Sequence, residues 1–339
     1  MGLLGRCTLI LSLVVFTLAS SGDRAPEFQN CVSACYADRC NPFTSLPFAL
    51  RLARWTCTDD CKYNCMHLIT DRAIQNGSPV QQYHGKWPFW RFIGMQEPAS
   101  VAFSLLNMWF HLQGARLIRQ KLPSSHPMKS YYLTWALVSI NAWIWSAVFH
   151  TRDLPRTEKL DYFSAALAIL YALYYAVVRL FHLYPLSRQR DTATEADRQW
   201  KKPVRLAWSS LCIVVYLAHV TYLSVLPRFD YTYNMGFNLG VGLTHNLLWL
   251  LYSLPPSLSI LRQFPYSPKS YKAPFASKAA IFVVLTTGAT ALELFDFAPW
   301  GRILDAHSLW HLSTAPIAKF WYDFLVEDAL DDGWRETKS

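Results

Sequence analysis

The sequence predicts an all-α membrane protein: a seven-transmembrane helix bundle with a small disulfide-rich luminal N-terminal domain. Three observations carry this reading. The 339 residues are 52% hydrophobic with 14 Trp, 18 Tyr and 20 Phe, more apolar and aromatic mass than a soluble domain of this length needs. Seven apolar runs follow one another between polar loops. Six of the eight cysteines crowd between Cys31 and Cys65, just behind an apolar leader.

The leader comes first. Leu9 to Ala19 form a short apolar core after Arg6, followed by the small residues Ala19, Ser20 and Ser21, which is the layout of a cleavable secretory signal over residues 1–21. The core is too short to span a bilayer comfortably. The mature chain is expected to start near Gly22 and to enter an oxidising lumen.

A luminal cysteine-rich segment, 22–98, is next. Cys7 lies in the leader and Cys212 in a later apolar run, leaving Cys31, Cys35, Cys40, Cys57, Cys61 and Cys65. Clustered cysteines behind a signal read as three disulfides. The C-x3-C spacing sets Cys57, Cys61 and Cys65 along one face of a helix, opposite Cys31 and Cys35. The expected result is a stapled helical hairpin, and the spacing leaves its pairing open. A zinc cluster is the weaker reading because C-x2-C spacing is absent. Asn76-Gly77-Ser78 forms a glycosylation sequon, weakened by Pro79.

The seven apolar runs lie near 99–118, 131–150, 160–183, 204–226, 235–254, 277–297 and 303–325. Crossing a bilayer takes about 20 residues of helix, so 99–325 reads as the bundle and 326–339 as a tail. The formal charge of +9 sits mostly in the loops and forms no basic stripe, which argues against a nucleic-acid partner. Fifteen Lys and Arg residues fall in and around the first, third and fifth connections, against five in the others. Positive charge stays cytosolic, so the odd connections face the cytosol, the N-terminus the lumen and the C-terminus the cytosol. The acidic run from Glu327 to Asp332 then reads as a solvated cytosolic end.

Ionisable side chains inside a membrane are costly and mark function by default. Ser146 and His150 lie four apart at the end of the second run. Asp161 opens the third, and His307 and His311, again four apart, open the seventh. The derived topology puts all five at the luminal end. Three imidazoles and one water make a tetrahedral zinc site with an open position, and zinc lowers the pKa of bound water to about 7. Asp161 would orient that water and take its proton, while Ser146 would donate to the water or to the developing oxyanion. Ser146 as a covalent nucleophile with His150 as base is the lesser reading. The expected chemistry is zinc-assisted cleavage of an acyl bond in a lipid.

Ser146-x3-His150, Asp161 and His307-x3-His311 together resemble the signature of the CREST superfamily of seven-span hydrolases, which includes alkaline ceramidases and adiponectin-type receptors. Within it, the six-cysteine segment, the run Gln96-Glu97-Pro98-Ala99-Ser100 and the stretch from Asn141 to Asp153 resemble the GPI-specific phospholipase A2 family of post-GPI-attachment factors. The resemblance implies Golgi residence and removal of the sn-2 acyl chain from GPI-anchored proteins. It also implies zinc ligands at His150, His307 and His311, with Ser146 and Asp161 as the catalytic residues beside them. The competing readings are a ceramidase-type amide hydrolase and a receptor or lipid-binding protein with a structural metal.

Several residues are weaker candidates. Asn107 and His111, and likewise His219, His245 and Asn246, read as interhelical hydrogen-bond partners. Glu293 and Asp296 read as acceptors behind a ligating imidazole. Glu97 reads as ordering the luminal segment, and Trp87, Trp90 and Trp300 as interfacial anchors rather than a stacking box.

Overall fold

The structure is a computed structural model and describes residues 20–41, 45–184 and 195–334; the expected signal core, Leu9 to Ala19, lies outside them. Among the described residues its regular elements are all helices, with isolated bridges in turns of the connecting loops. By its contacts the chain divides into two compact units. One runs up to Ala99 and takes in His150–Arg152 and Asp296–Asp305; the other comprises the remainder.

The first unit begins with α1 (Ser21–Arg24), α2 (Pro26–Arg39), α3 (Phe48–Leu52) and α4 (Cys57–Gln75). Pro26 starts α2 at a position where a missing N–H costs nothing. Thr56 and Asp59 form a reciprocal capping box that starts α4. Cysteines one turn apart on α2 meet cysteines one turn apart on α4, giving Cys31–Cys65, Cys35–Cys61 and Cys40–Cys57. The pairing descends one helix as it climbs the other, so the hairpin is antiparallel. All six thiols are consumed, which removes the zinc-cluster alternative. Phe28, Cys65 and Tyr83 form a small apolar core beside the staple.

The second unit contains α5 (Pro98–Lys121, from Ser100 onward), α6 (Lys129–Thr151), α7 (Pro155–Leu180), α8 (Glu195–Val225), α9 (Tyr231–Ser253), α10 (Ser277–Leu294) and α11 (Ala306–Leu330). These seven helices coincide with the seven apolar runs of the sequence. Four of them, α6, α7, α8 from Trp200 and α10, are long and apolar enough to cross a membrane. The other three carry polar residues that lower their apolar average, and many of these are buried: Asn107 and His111 in α5, Asn234 and His245 in α9, His311 and Asp328 in α11. Helix α8 instead exposes Leu206, Leu211, Ile213, Val214 and Leu217, a surface suited to lipid.

Helices α8, α7, α9, α10 and α11 pack in that order, each on the next. The core between them is aromatic, with Tyr132, Tyr175, Trp249, Tyr252, Phe264, Trp321, Tyr322 and Phe324 fully buried. Trp321 satisfies its indole N–H on the Tyr175 hydroxyl at 2.7 Å. Helix α5 approaches α11 at Gly114, where a Cβ would fall 2.1 Å from the Tyr322 ring; only glycine fits there.

The acidic run at the C-terminal end of α11 is not a solvated end. Asp328 is fully buried and takes a bidentate pair from Arg179, with Nε and Nη2 each at 2.7 Å, and a third bond from the Tyr252 hydroxyl at 2.8 Å. Glu327 pairs with Lys278, and Asp331 accepts from Tyr271. A sequence of four carboxylates in six residues looks hydrated, yet three of them answer donors on other elements.

Candidate metal centre

Helix α6 brings Ser146 and His150 one above the other, and both are buried. Its last carbonyls, orphaned as at any helix C-terminus, accept from the extended segment before α5: Gln96 N–H to Thr151 at 3.0 Å and Glu97 N–H to His150 at 3.0 Å. That pairing carries the Glu97 carboxylate to the ring of His150. Helix α11 presents His307 and His311 from consecutive turns, and Asn107 of α5 holds the His311 carbonyl at 2.6 Å. One ring nitrogen from each of His150, His307 and His311 lies within 4.8 Å of the others, a group that can hold a metal ion.

The hydrogen bonds fix which nitrogens converge. His150 Nδ1 meets Glu97 Oε2 at 2.8 Å, and His307 Nδ1 meets Glu293 Oε2 at 2.7 Å. Ionised carboxylates only accept, so both Nδ1 atoms carry the proton. His311 Nδ1 meets Ser104 Oγ at 2.9 Å. Ser104 spends its one proton on the Ser100 carbonyl at 2.7 Å, so it accepts from His311 Nδ1–H and from the Ser146 hydroxyl at 3.0 Å. Each neutral imidazole therefore keeps its lone pair on Nε2. Those of His307 and His311 face each other at 2.9 Å, where two lone pairs repel unless a cation lies beside them. The donor set fits a metal bound through three neutral imidazoles, each oriented by an acceptor behind it.

Burial alone would raise the Glu97 carboxyl pKa, but the ion pair with Lys86 and the bond from His150 outweigh it. They hold the group well below the usual carboxylate range. Asp161 stands half-buried in the second turn of α7, within electrostatic range of Tyr162. Glu293, the partner of His307, also acts electrostatically on Tyr162.

Sequence reasoning named all three histidines and Ser146, but missed Ser104, whose hydroxyl joins Ser146 to His311. The signal was available: Ser100, Ser104, Asn107 and His111 share a helical face on an apolar run. Glu97 does more than order a segment, since its carboxylate also holds the imidazole of His150. Of the two acidic candidates near the end of α10, Glu293 backs His307, while Asp296 accepts from Gln82 and Trp87 instead. His111 bonds the Tyr322 hydroxyl and His245 accepts from Trp249, as interior partners do. His219 departs from that reading: it stacks on Phe237 at 4.0 Å and neither ring nitrogen has a hydrogen-bond partner. Trp90 departs too, for it stacks face to face on His67 at 4.0 Å.

Fold and site together define a class: a helical membrane protein with a disulfide-stapled N-terminal unit and a buried histidine group able to hold a metal ion. The Per1-like family profile matches residues 47–329, and the chain belongs to that family. It is similar to the protein named "Protein PER1 homolog" of Schizosaccharomyces pombe, 40% identical over 95% of this chain and 91% of that one. It is also similar to the human "GPI-specific phospholipase A2-like PGAP3", 38% identical over 97% and 95%, and to the Mus musculus protein of the same name, 39% identical over 95% and 93%. No solved structure matches the chain.

Proposed function

We propose that this protein is a zinc-dependent lipid acyl hydrolase that removes the sn-2 fatty acid from GPI-anchored proteins. The observation that carries the reading is the convergence of one ring nitrogen from each of His150, His307 and His311, with Glu97, Glu293 and Ser104 each bonded to the Nδ1 of one of them. The names of the relatives point to GPI as the lipid. The seven helices that coincide with the apolar runs are read as seven spans, with the N-terminus luminal and the C-terminus cytosolic from the charge of the loops. Residence in the Golgi membrane follows from the family resemblance.

A zinc ion held by His150, His307 and His311 supplies a Lewis acid that lowers the pKa of water to about 7. The chain's own groups do the rest. Glu97, Glu293 and Ser104 keep each Nδ1 protonated and each Nε2 available. Ser146, donating to Ser104, presents an oxygen that accepts from a nucleophilic water. Asp161 takes the proton released as that water adds to the ester carbonyl, and returns it to the glycerol oxygen as the acyl bond breaks. The products are a free fatty acid and a lyso-lipid.

Two measurements test the reading together: metal analysis of the purified protein and hydrolysis of a GPI lipid, each repeated on His307→Ala. About one zinc per chain in the wild type, lost with the hydrolysis in the variant, is expected. Zinc retained with no acyl release from GPI would leave a structural metal in a receptor-type protein. Release of fatty acid from ceramide in preference to GPI would move the substrate to an amide.

A further inference from the structure

The disulfide-stapled unit has a cleft of its own, of about 330 Å³, lined by Asp71, Ile74, Trp90, Pro299 and Arg302 among others. That is the small end of ligand clefts, which run from roughly 300 to 1,000 Å³. It suits a sugar ring or two and not a lipid with its acyl chains.

Its polar groups are fixed rather than mobile. Arg302 donates through Nη2 to Asp71 Oδ1 at 2.5 Å and through Nη1 to His67 Nδ1 at 2.8 Å. Its guanidinium carbon lies 4.9 Å from the Trp90 ring centroid. Trp90 is braced by His67, the two rings 3° from parallel, yet keeps 43% of its surface exposed. Arg302 sits in the left-handed region at φ 58°, next to Gly301 at φ 59°. A non-glycine residue held there is strained, and such strain clusters at ligand clamps. Its carbonyl is tied to the Trp90 N–H at 3.0 Å, so backbone and side chain are both committed to the wall of the cleft.

We propose that this cleft binds a neutral sugar unit of the substrate's glycan head; the proposal rests on the GPI reading above. An immobilised indole offers a negative π face, which packs on the weakly positive C–H face of a pyranose. The half-exposed Asp71 carboxylate has lone pairs beyond the one given to Arg302 and accepts from ring hydroxyls. The ion pair makes the wall close to neutral. That composition disfavours a phosphate, which Asp71 would repel, and an acyl chain, which would leave both charges unanswered.

The test uses the full-length protein in detergent micelles and the soluble glycan of a GPI anchor, freed of both lipid and protein. Saturation-transfer NMR and tryptophan fluorescence read binding directly, without hydrolysis. Saturable binding by the wild type is expected, weakened about tenfold or more in Asp71→Asn and in Trp90→Ala, and largely kept in Trp90→Phe. Asp71 is half-exposed, so its variant decides the matter if Trp90→Ala fails to fold. Absence of wild-type binding, equal binding by Asp71→Asn, or displacement of the glycan by inorganic phosphate or a short fatty acid would each overturn the proposal. Glycan binding without GPI hydrolysis would sink the hydrolase reading alone, and hydrolysis without glycan binding would sink this one alone.

Discussion

Glu97 and His150 are joined by a 2.8 Å hydrogen bond between two buried side chains from segments that also share a backbone bond. The carboxylate fixes the imidazole tautomer, with the proton on Nδ1, so that in the proposed site Nε2 would face the metal. In Glu97→Gln the amide still offers an oxygen, but the negative charge behind the His150 imidazole is gone and the ion pair with Lys86 is lost. Zinc affinity is expected to fall roughly 10–100-fold, the usual cost of losing such a partner. Competition with a chromophoric chelator measures it; unchanged affinity would mean that the carboxylate has no part in the site.

Ser104 has the same role for His311 and a second one for Ser146. Removing the hydroxyl in Ser104→Ala strips the acceptor from Nδ1–H and releases the ring to rotate. Zinc binding is expected to weaken roughly tenfold. In Ser146→Ala the imidazole bonds all survive, so zinc binding should hold near the wild-type value while GPI hydrolysis falls. Equal zinc loss in both variants would contradict the proton assignment through Ser104.

Much of this was legible in the sequence, and the part that was not has a common cause. The i, i+4 pairs Ser146/His150 and His307/His311 and the C-x3-C ladder are periodic, and periodicity survives without coordinates. Seven apolar runs became seven helices for the same reason. Ser104 was hidden because its partners, Ser146 and His311, lie 42 and 207 residues away. The Arg179–Asp328 pair spans 149 residues, and Asp328 on its own reads as part of a solvated end. Hydration and burial look alike in a charged residue until its partner is known.

That pair makes a stability prediction. Both side chains are 0% exposed, and Arg179 also donates to the Gln263 carbonyl at 2.8 Å. Asp328→Asn leaves a guanidinium buried against a neutral amide, and breaking a buried pair from one side costs about 3–5 kcal/mol. Thermal unfolding in bicelles should show that loss, while the double variant Arg179→Met, Asp328→Leu should recover a large part of it. If the double variant is as unstable as the single one, an unpaired charge is not the cause.

The staple's contribution is separable from the bundle's. Cys40–Cys57 closes the shortest of the three loops, with a sequence separation of 17. In the chain-entropy account, closing a loop of about 15 residues contributes about 3 kcal/mol. Replacing both cysteines by serine should therefore lower the unfolding midpoint of the stapled unit, with Cys31–Cys65 and Cys35–Cys61 still formed. Peptide mapping without reduction checks the pairing. A scrambled pairing that engages Cys212 would show that the helical ladder does not direct oxidation.

His67 gives the same unit a defined response to pH. Its Nε2–H donates to the Phe89 carbonyl at 3.1 Å and its Nδ1 accepts from Arg302, so the ring is bound as the neutral form. Burial is the largest cause of its lowered pKa, with the Arg302 and Arg91 charges adding to it; the Phe89 carbonyl and Asp71 oppose them. The result is about 4, against 6.5 for an ordinary imidazole. The folded state thus binds fewer protons than the unfolded one between these values, and its stability falls as protons are added. The stabilisation is complete above about pH 6.5 and is lost as the pH drops toward 4. Unfolding followed from pH 7 to pH 4 should show this slope in the wild type and a shallower one in His67→Gln, which can still bond Phe89 without titrating. His84, also lowered by burial, contributes to the slope that remains. Equal slopes in the two proteins would show that His67 is not the group that titrates.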